Sequence, residues 1–272
     1  MIKQAIIPLA GLGTRLLPLT SIFAKELLPI NGKPGIEYIL DECFNAGIKE
    51  IIFIISKKKK IIKDYFYKDK FYEKIIKKKK DQRIIKEYKK ILKYKKMIKF
   101  VYQNKPLGTG DAVLKTKKLI KNKYFLMLLP DDLIIKKNCT KEMIKLHKQK
   151  RGAVIAAKQV PKKTVSRWGI LSLKNKKKNS FDITDVIEKP RTHEAQSNYA
   201  IIGRYILPKS IMKEITKLKP GRGNEIHITD AIKNLIDNDE IFYGHIFQGK
   251  YLDCGTLKGY INSGIEISKE LK

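Results

Sequence analysis

Short apolar runs rich in isoleucine recur along the chain, separated by stretches in which apolar residues return every three or four positions. Gln4 to Ala10, Ile51 to Ile55, Lys99 to Tyr102 and Tyr124 to Leu129 are runs of the first kind, the strand type of a sheet covered on both faces. Between the first two, Ile36, Ile39, Leu40 and Cys43 share one face of a helix predicted over 36–46, begun behind Pro34 and stopped by Gly47. Strand, helix and strand with short joints make a βαβ unit with a right-handed crossover. Residues 57–96 change character: Ile61, Ile62, Tyr65 and Phe66, then Ile84, Ile85, Tyr88, Ile91 and Leu92, predict two lysine-rich amphipathic helices, apolar side on the body and lysines in water. Further strands are predicted over 153–160, 169–173, 182–188 and 199–207, with helices from about Pro208 and Ile226 and at the end of the chain. The expected fold is α/β: a Rossmann-like, mixed, mostly parallel central sheet flanked by helices, in one domain over 1–272 with a basic helical insertion at 57–96.

Charge changes the picture less than its size suggests. The 272 residues carry a formal charge of +32, which would ordinarily point to nucleic acid or an anionic membrane. Only seven of the 59 basic residues are arginine, however, and the lysines spread over every polar face. Base readers favour arginine for its bidentate geometry, so no nucleic-acid partner is expected. No stretch reaches the length of about 18 apolar residues that spans a bilayer, and the first apolar run meets glycines too soon for a signal peptide. Cys43, Cys139 and Cys254 have neither disulfide-framework nor metal-ligand spacing. A soluble cytoplasmic protein with no membrane partner is the expectation.

Candidate chemistry sits where strands end. The first strand runs into Gly11-Leu12-Gly13-Thr14-Arg15, a loop whose glycines let backbone N–H groups approach phosphate, with Arg15 and Lys25 as fixed positive charge. Gln103 and Gly108 follow another strand; they form either a simple turn or a site where an amide reads a base edge and a glycine admits its ring. Pro130-Asp131-Asp132 ends the strand from Tyr124, where acids, phosphate oxygens and water would cage magnesium, although one of the two acids could serve only as a cap. Glu188-Lys189 lies just past a later strand, and Asp253 opens the last acid-bearing loop before the final helix. None of the four histidines pairs with a serine in a catalytic pattern, so a protein nucleophile is unsupported, and alignment with charge neutralisation suits phosphoryl or nucleotidyl transfer.

The strings A-G-L-G-T-R, K-E-L-L-P, P-L-G-T-G-D-A-V, L-P-D-D, W-G-I, V-I-E-K-P, S-N-Y-A-I-I-G-R-Y, N-E-I-H-I-T-D-A-I and D-C-G-T resemble, over nearly the whole chain, the sugar-1-phosphate nucleotidyltransferases, and among them the bacterial UTP:glucose-1-phosphate uridylyltransferases. The resemblance implies a nucleotidyltransferase-type sheet and synthesis of UDP-glucose and pyrophosphate from UTP and glucose 1-phosphate, with Mg2+, by a homo-oligomer (dimer or tetramer). It implies that Ala10, Gly11, Gln103 and Gly108 hold the uracil, that Gly13, Thr14 and Arg15 cradle the triphosphate, and that Lys25 neutralises its outer phosphates. It further implies Asp131 and Asp253 as metal ligands, Gly169, Glu188 and Asn198 on the glucose hydroxyls, and Lys189 on the sugar phosphate.

Three positions depart from the family pattern: Ala24 replaces a usual proline, Thr109 a usual leucine near the base pocket, and His227 a usual glutamine. The nearest rival is glucose-1-phosphate thymidylyltransferase, whose members usually carry G-G-S-G-T-R and G-D-N and lack the insertion. A rival of another class is a basic nucleic-acid-binding module, which would cluster arginine and aromatics on one face. A catalytically silent homologue would lose Arg15, Lys25, Asp131 or Lys189, and all four are present.

Overall fold

The computed structural model describes residues 2–67 and 70–270. The first apolar run is β1 (Gln4–Pro8), followed by the site loop, a hairpin of two-residue strands β2 (Pro29–Ile30) and β3 (Lys33–Pro34), and α1 (Gly35–Asn45). Ile36, Ile39, Leu40 and Cys43 of α1 are fully buried, as their spacing predicts. β4 (Glu50–Ile55) then lies parallel to β1, Gln4 opposite Glu50. The insertion forms three helices rather than two: α2 (Lys60–Tyr67), α3 (Lys70–Lys79) and α4 (Gln82–Met97). α3 was not expected, although Phe71, Tyr72, Ile75 and Ile76 recur in its sequence at helical spacing, and α4 starts afresh at Asp81, whose carboxylate caps the Arg83 and Ile84 N–H groups.

The chain continues through β5 (Ile98–Tyr102), α5 (Thr109–Leu114), β6 (Tyr124–Leu128), β7 (Asp132–Ile135), α6 (Cys139–Lys150), β8 (Ala153–Gln159), β9 (Gly169–Lys174), β10 (Ser180–Glu188) and β11 (Tyr199–Pro208). It closes with α7 (Ile211–Lys217), α8 (Ile228–Asp237), β12 (Phe242–Ile246), β13 (Lys250–Asp253) and α9 (Leu257–Glu270). Nine strands form one sheet in the order β5-β4-β1-β6-β11-β8-β12-β10-β9. Only β11 and β10 run against the other seven, so the sheet is mixed and mostly parallel. From β1 the chain first winds outward to β4 and β5, then returns to β6 on the other side of β1. That reversal opens a crevice at the carboxyl ends of β1 and β6, the usual ligand position in such sheets.

Besides the two-residue strands β2 and β3, three strands were not legible in the hydrophobic pattern. β7 and β13 form a separate antiparallel pair with Asp132 opposite Asp253. β12 contains Gly244 and His245, and the glycine is required: a Cβ there would stand 2.2 Å from the Phe181 ring.

A buried ion pair fastens the turn after β6. Arg204 of β11 is wholly buried; its Nε and Nη2 donate to Glu42 of α1, with Nη2–Oε2 at 2.7 Å, and its Nη1 donates to the Leu129 carbonyl. Glu42 Oε1 also accepts the Thr140 N–H and hydroxyl at the start of α6. Four segments are thus tied around one carboxylate, and Leu129 leads directly into Asp131. Removing one partner strands the other's charge in the core, which is far more destabilising than losing both. Arg204→Met should therefore lower unfolding free energy by about 3–5 kcal/mol, measured by urea denaturation, with Arg204→Met/Glu42→Met recovering part of the loss.

Candidate active site

The loop after β1 is aligned by its strand neighbours: the Leu9 N–H donates to the Ile54 carbonyl at 2.7 Å, and the Gln103 N–H to that of Ile55 at 2.9 Å. Ala10 is buried and Gly11 is exposed, with nothing within 4 Å of where its Cβ would stand. Gly13 has φ 72°, and its carbonyl accepts both the Leu16 N–H and the Thr20 hydroxyl, which folds Thr14–Leu16 into a single helical turn. That left-handed backbone favours glycine at 13.

The charges meet on one oxygen. Asp131 Oδ2 accepts Lys25 Nζ at 2.6 Å and Arg15 Nη2 at 3.3 Å, with the Lys25 side chain 15% exposed and that of Arg15 61%. Burial opposes ionisation of Asp131, but Lys25 and Arg15 outweigh it and hold the carboxyl below its usual range. Burial likewise opposes the Lys25 ammonium, and Asp131 and Glu26 overcome it and raise its pKa. Asp253 joins through the β7–β13 pair: the Cys254 N–H donates to the Asp131 carbonyl at 2.7 Å, and Asp253 Oδ1 accepts the Gly255 N–H at 2.8 Å. A Cβ on Gly255 would stand 2.7 Å from Arg15 Nη2, 2.8 Å from Asp131 Oδ2 and 3.1 Å from Asp253 Oδ1, so the missing side chain leaves a gap that those three groups border. Two carboxylates around such a gap, open to phosphate oxygens as further ligands, fit a small hard cation.

Gln103 and Gly108 belong to a built loop and not to a simple turn. Gln103 is buried, and its Nε2 donates to the Gly108 carbonyl at 3.1 Å and to Asp111 Oδ2 at 2.8 Å. Both partners are acceptors, which fixes the amide orientation and leaves Oε1 as its acceptor. Gly108 has φ 98°, and a Cβ there would fall 2.5 Å from the Ile226 carbonyl oxygen. The Thr109 hydroxyl accepts the Ile228 N–H at 3.2 Å, so it serves the first turn of α8.

The sugar candidates form a second group. Gly169 and Glu188 are register partners; the Thr229 hydroxyl donates to Glu188 Oε2 at 3.0 Å, and Lys189 Nζ lies 3.5 Å from Glu188 Oε1. Lys189 has φ 45°, the left-handed region. Asn198 donates from Nδ2 to the Val160 carbonyl at 2.8 Å. Tyr205 is buried, and burial first, then the charges of Glu188 and Asp132, raise the pKa of its phenol. A larger cavity of about 320 Å³, bordered by Lys123, Tyr124, His147 and Arg151, lies at the opposite, amino-terminal edge of the sheet and has no acidic lining residue.

The sequence did not reveal three contributors. Tyr251 donates to Asp132 Oδ1 at 2.6 Å, a partnership created by long-range strand pairing. Glu26 accepts Lys59 Nζ through both oxygens, at 2.8 and 2.9 Å. The adjacent-charge pattern Lys25-Glu26 was the available signal, but Lys59 is hidden in a run of four lysines.

Asp131 and Asp132 divide the roles that sequence left open: the first faces the cations, the second faces inward. Burial, and then the Asp131 charge, push the Asp132 carboxyl up to about 7. In the unfolded chain it would ionise near 3.9, so between these values the native state holds the extra proton and stability falls as pH rises. In metal-free protein, Asp132→Asn should match the parent melting temperature near pH 4 and exceed it at pH 8 by at least about 2 °C, read by differential scanning calorimetry.

This arrangement has close counterparts. The Nucleotidyl transferase family model matches residues 4–270. A UTP–glucose-1-phosphate uridylyltransferase 2 of Streptococcus pyogenes serotype M3 is 36% identical over 271 residues, 97% of this chain and 90% of that protein. A UDP-glucose pyrophosphorylase complexed with UDP-glucose superposes with TM-score 0.89 at 34% identity, covering 99% of this chain and 100% of that one. A UTP-bound UGPase from Acinetobacter baumannii gives TM-score 0.89 at 32% identity, covering 99% and 94%. The likeness runs through both halves of the crevice, and the chain belongs to the nucleotidyl transferase family.

Proposed function

We propose that this protein is a UTP:glucose-1-phosphate uridylyltransferase, forming UDP-glucose and pyrophosphate. The observation that carries the chemistry is the meeting of Lys25, Arg15 and Asp131 at the sheet's reversal point, beside an open glycine loop and within reach of Asp253. The relatives' names support the substrate pair.

In this reading the uracil lies over Ala10 and Gly11, with Gln103 Oε1 accepting its ring N–H and Gly108 giving close backbone approach. Gly13, Thr14 and Arg15 hold the triphosphate, and Lys25 neutralises the charge that grows on pyrophosphate as it leaves. Gly169, Glu188 and Asn198 orient the glucose hydroxyls, while Lys189 draws in the sugar phosphate. A phosphate oxygen of glucose 1-phosphate attacks the α-phosphorus of UTP, and the bond to pyrophosphate breaks on the opposite side. Asp131 and Asp253 would hold a divalent cation, Mg2+ in this proposal, which when bound screens the phosphate oxygens. Lys25 and Arg15 pair with Asp131, so arriving phosphates would give these cations a further partner and leave the carboxylate to a bound cation. Cytoplasmic location is part of the same reading, supported by three buried cysteines that are all free thiols.

Pyrophosphate release from UTP, and separately from dTTP, with glucose 1-phosphate and Mg2+ tests the assignment. Release with UTP, and a loss of about 100-fold or more in Asp131→Asn, is expected. Preference for dTTP would make the enzyme a thymidylyltransferase, and no release with either nucleotide would overturn the proposal.

A further inference from the structure

Among the described residues, Lys59 is the one buried lysine; Lys57, Lys58 and Lys60 beside it are exposed. Its side chain is 11% exposed, and it meets a Glu26 carboxylate that is 1% exposed, with both oxygens accepting from its ammonium. Glu26 adjoins Lys25, and Lys25 meets Asp131 at 2.6 Å. Charges therefore alternate along a buried line: Lys59, Glu26, Lys25, Asp131. Lys59 also stands at the head of α2, the first helix of the insertion. That insertion is fastened to α1 as well, because Tyr65 donates to Glu37 while Lys90 and Tyr94 both bond Asp41.

We propose that Lys59 is a positioning residue of the active site: it neutralises Glu26, so that Lys25 is left to Asp131 and the arriving phosphates, and through it the basic insertion braces the catalytic lysine. The inference rests on the uridylyltransferase reading and extends it. Without Lys59, a buried carboxylate next to Lys25 would have no other cation so near, and would draw the Lys25 ammonium away from Asp131. Glu26 is among the charges favouring the Lys25 ammonium, and burial lowers the Lys59 pKa while Glu26 acts against that burial to hold its ammonium.

The test is the sign of a double-variant cycle. Lys59→Met should lower kcat by about 10- to 100-fold, as misplacement of an aligned group does, with a much smaller change in KM for glucose 1-phosphate. Lys59→Met/Glu26→Gln removes the competing charge and should recover most of that loss, as should Lys59→Arg. Lys57→Met and Lys58→Met, in exposed neighbours, should match the parent. Circular dichroism and melting temperature identify variants that fail to fold, and for these the Lys59→Arg and double-variant results decide. A Lys59→Met enzyme of parental kcat would overturn the inference, and so would a double variant as slow as or slower than the single one. Parental turnover measures the underlying reading and the variant cycle measures this inference, so the two fail separately.

Discussion

A single carboxylate oxygen, Asp131 Oδ2, accepts an ammonium and a guanidinium that both come from the segment between β1 and β2. An anion so placed would be expelled from a buried position if its cations were absent, and the cations would repel one another if it were absent. Charges balanced against each other in this way stand where, in the proposed function, polyphosphate charge is received. Preorganisation of this kind avoids rearranging solvent during reaction, which is where electrostatic catalysis gains most.

Much of the remaining architecture keeps that oxygen in place. Arg204 binds the Leu129 carbonyl on one side of the turn and Glu42 on the other, linking β11, α1 and α6 behind it. The β7–β13 pair brings Asp253 beside it, and Gly255 leaves the gap that side chains and ligand share. The insertion reaches the same centre through Lys59 and Glu26. Buried ion pairs contribute little net stability relative to apolar packing, but they are unforgiving of error, so they favour one geometry over its neighbours. Here that selectivity falls on the elements that aim Lys25, Arg15 and Asp131 at one another.

Local sequence revealed what depends on local sequence. β1, α1 and β4 announced themselves by burial pattern, the glycine loop and Asp131 by their positions at strand ends, and Asp253 by its acid- and glycine-bearing loop before the last helix. What stayed hidden depends on distant parts of the chain. The pairing of Asp132 with Asp253 spans the second half of the molecule, and neither β7 nor β13 is long enough to show a period of its own. Burial of Lys59 could not be seen within four consecutive lysines, since composition does not say which ammonium turns inward. Gln103 was recognisable as a base-reading amide or a turn residue, yet only its contacts with Gly108 and Asp111 show that the donor end is spent and the acceptor is left. The basic composition, almost all lysine, gave no reason to expect nucleic acid, and a few of its cations are committed to the crevice.

The central claim is that this constellation aligns two phosphates for one direct displacement, with no covalent bond to the protein. Its most direct test is the stereochemistry at phosphorus, using UTP with sulfur at a single α-phosphorus configuration and determining the handedness of the UDP-glucose analogue formed. One in-line displacement predicts inversion. Retention would require two displacements and hence a nucleophile on the protein, and would contradict the account.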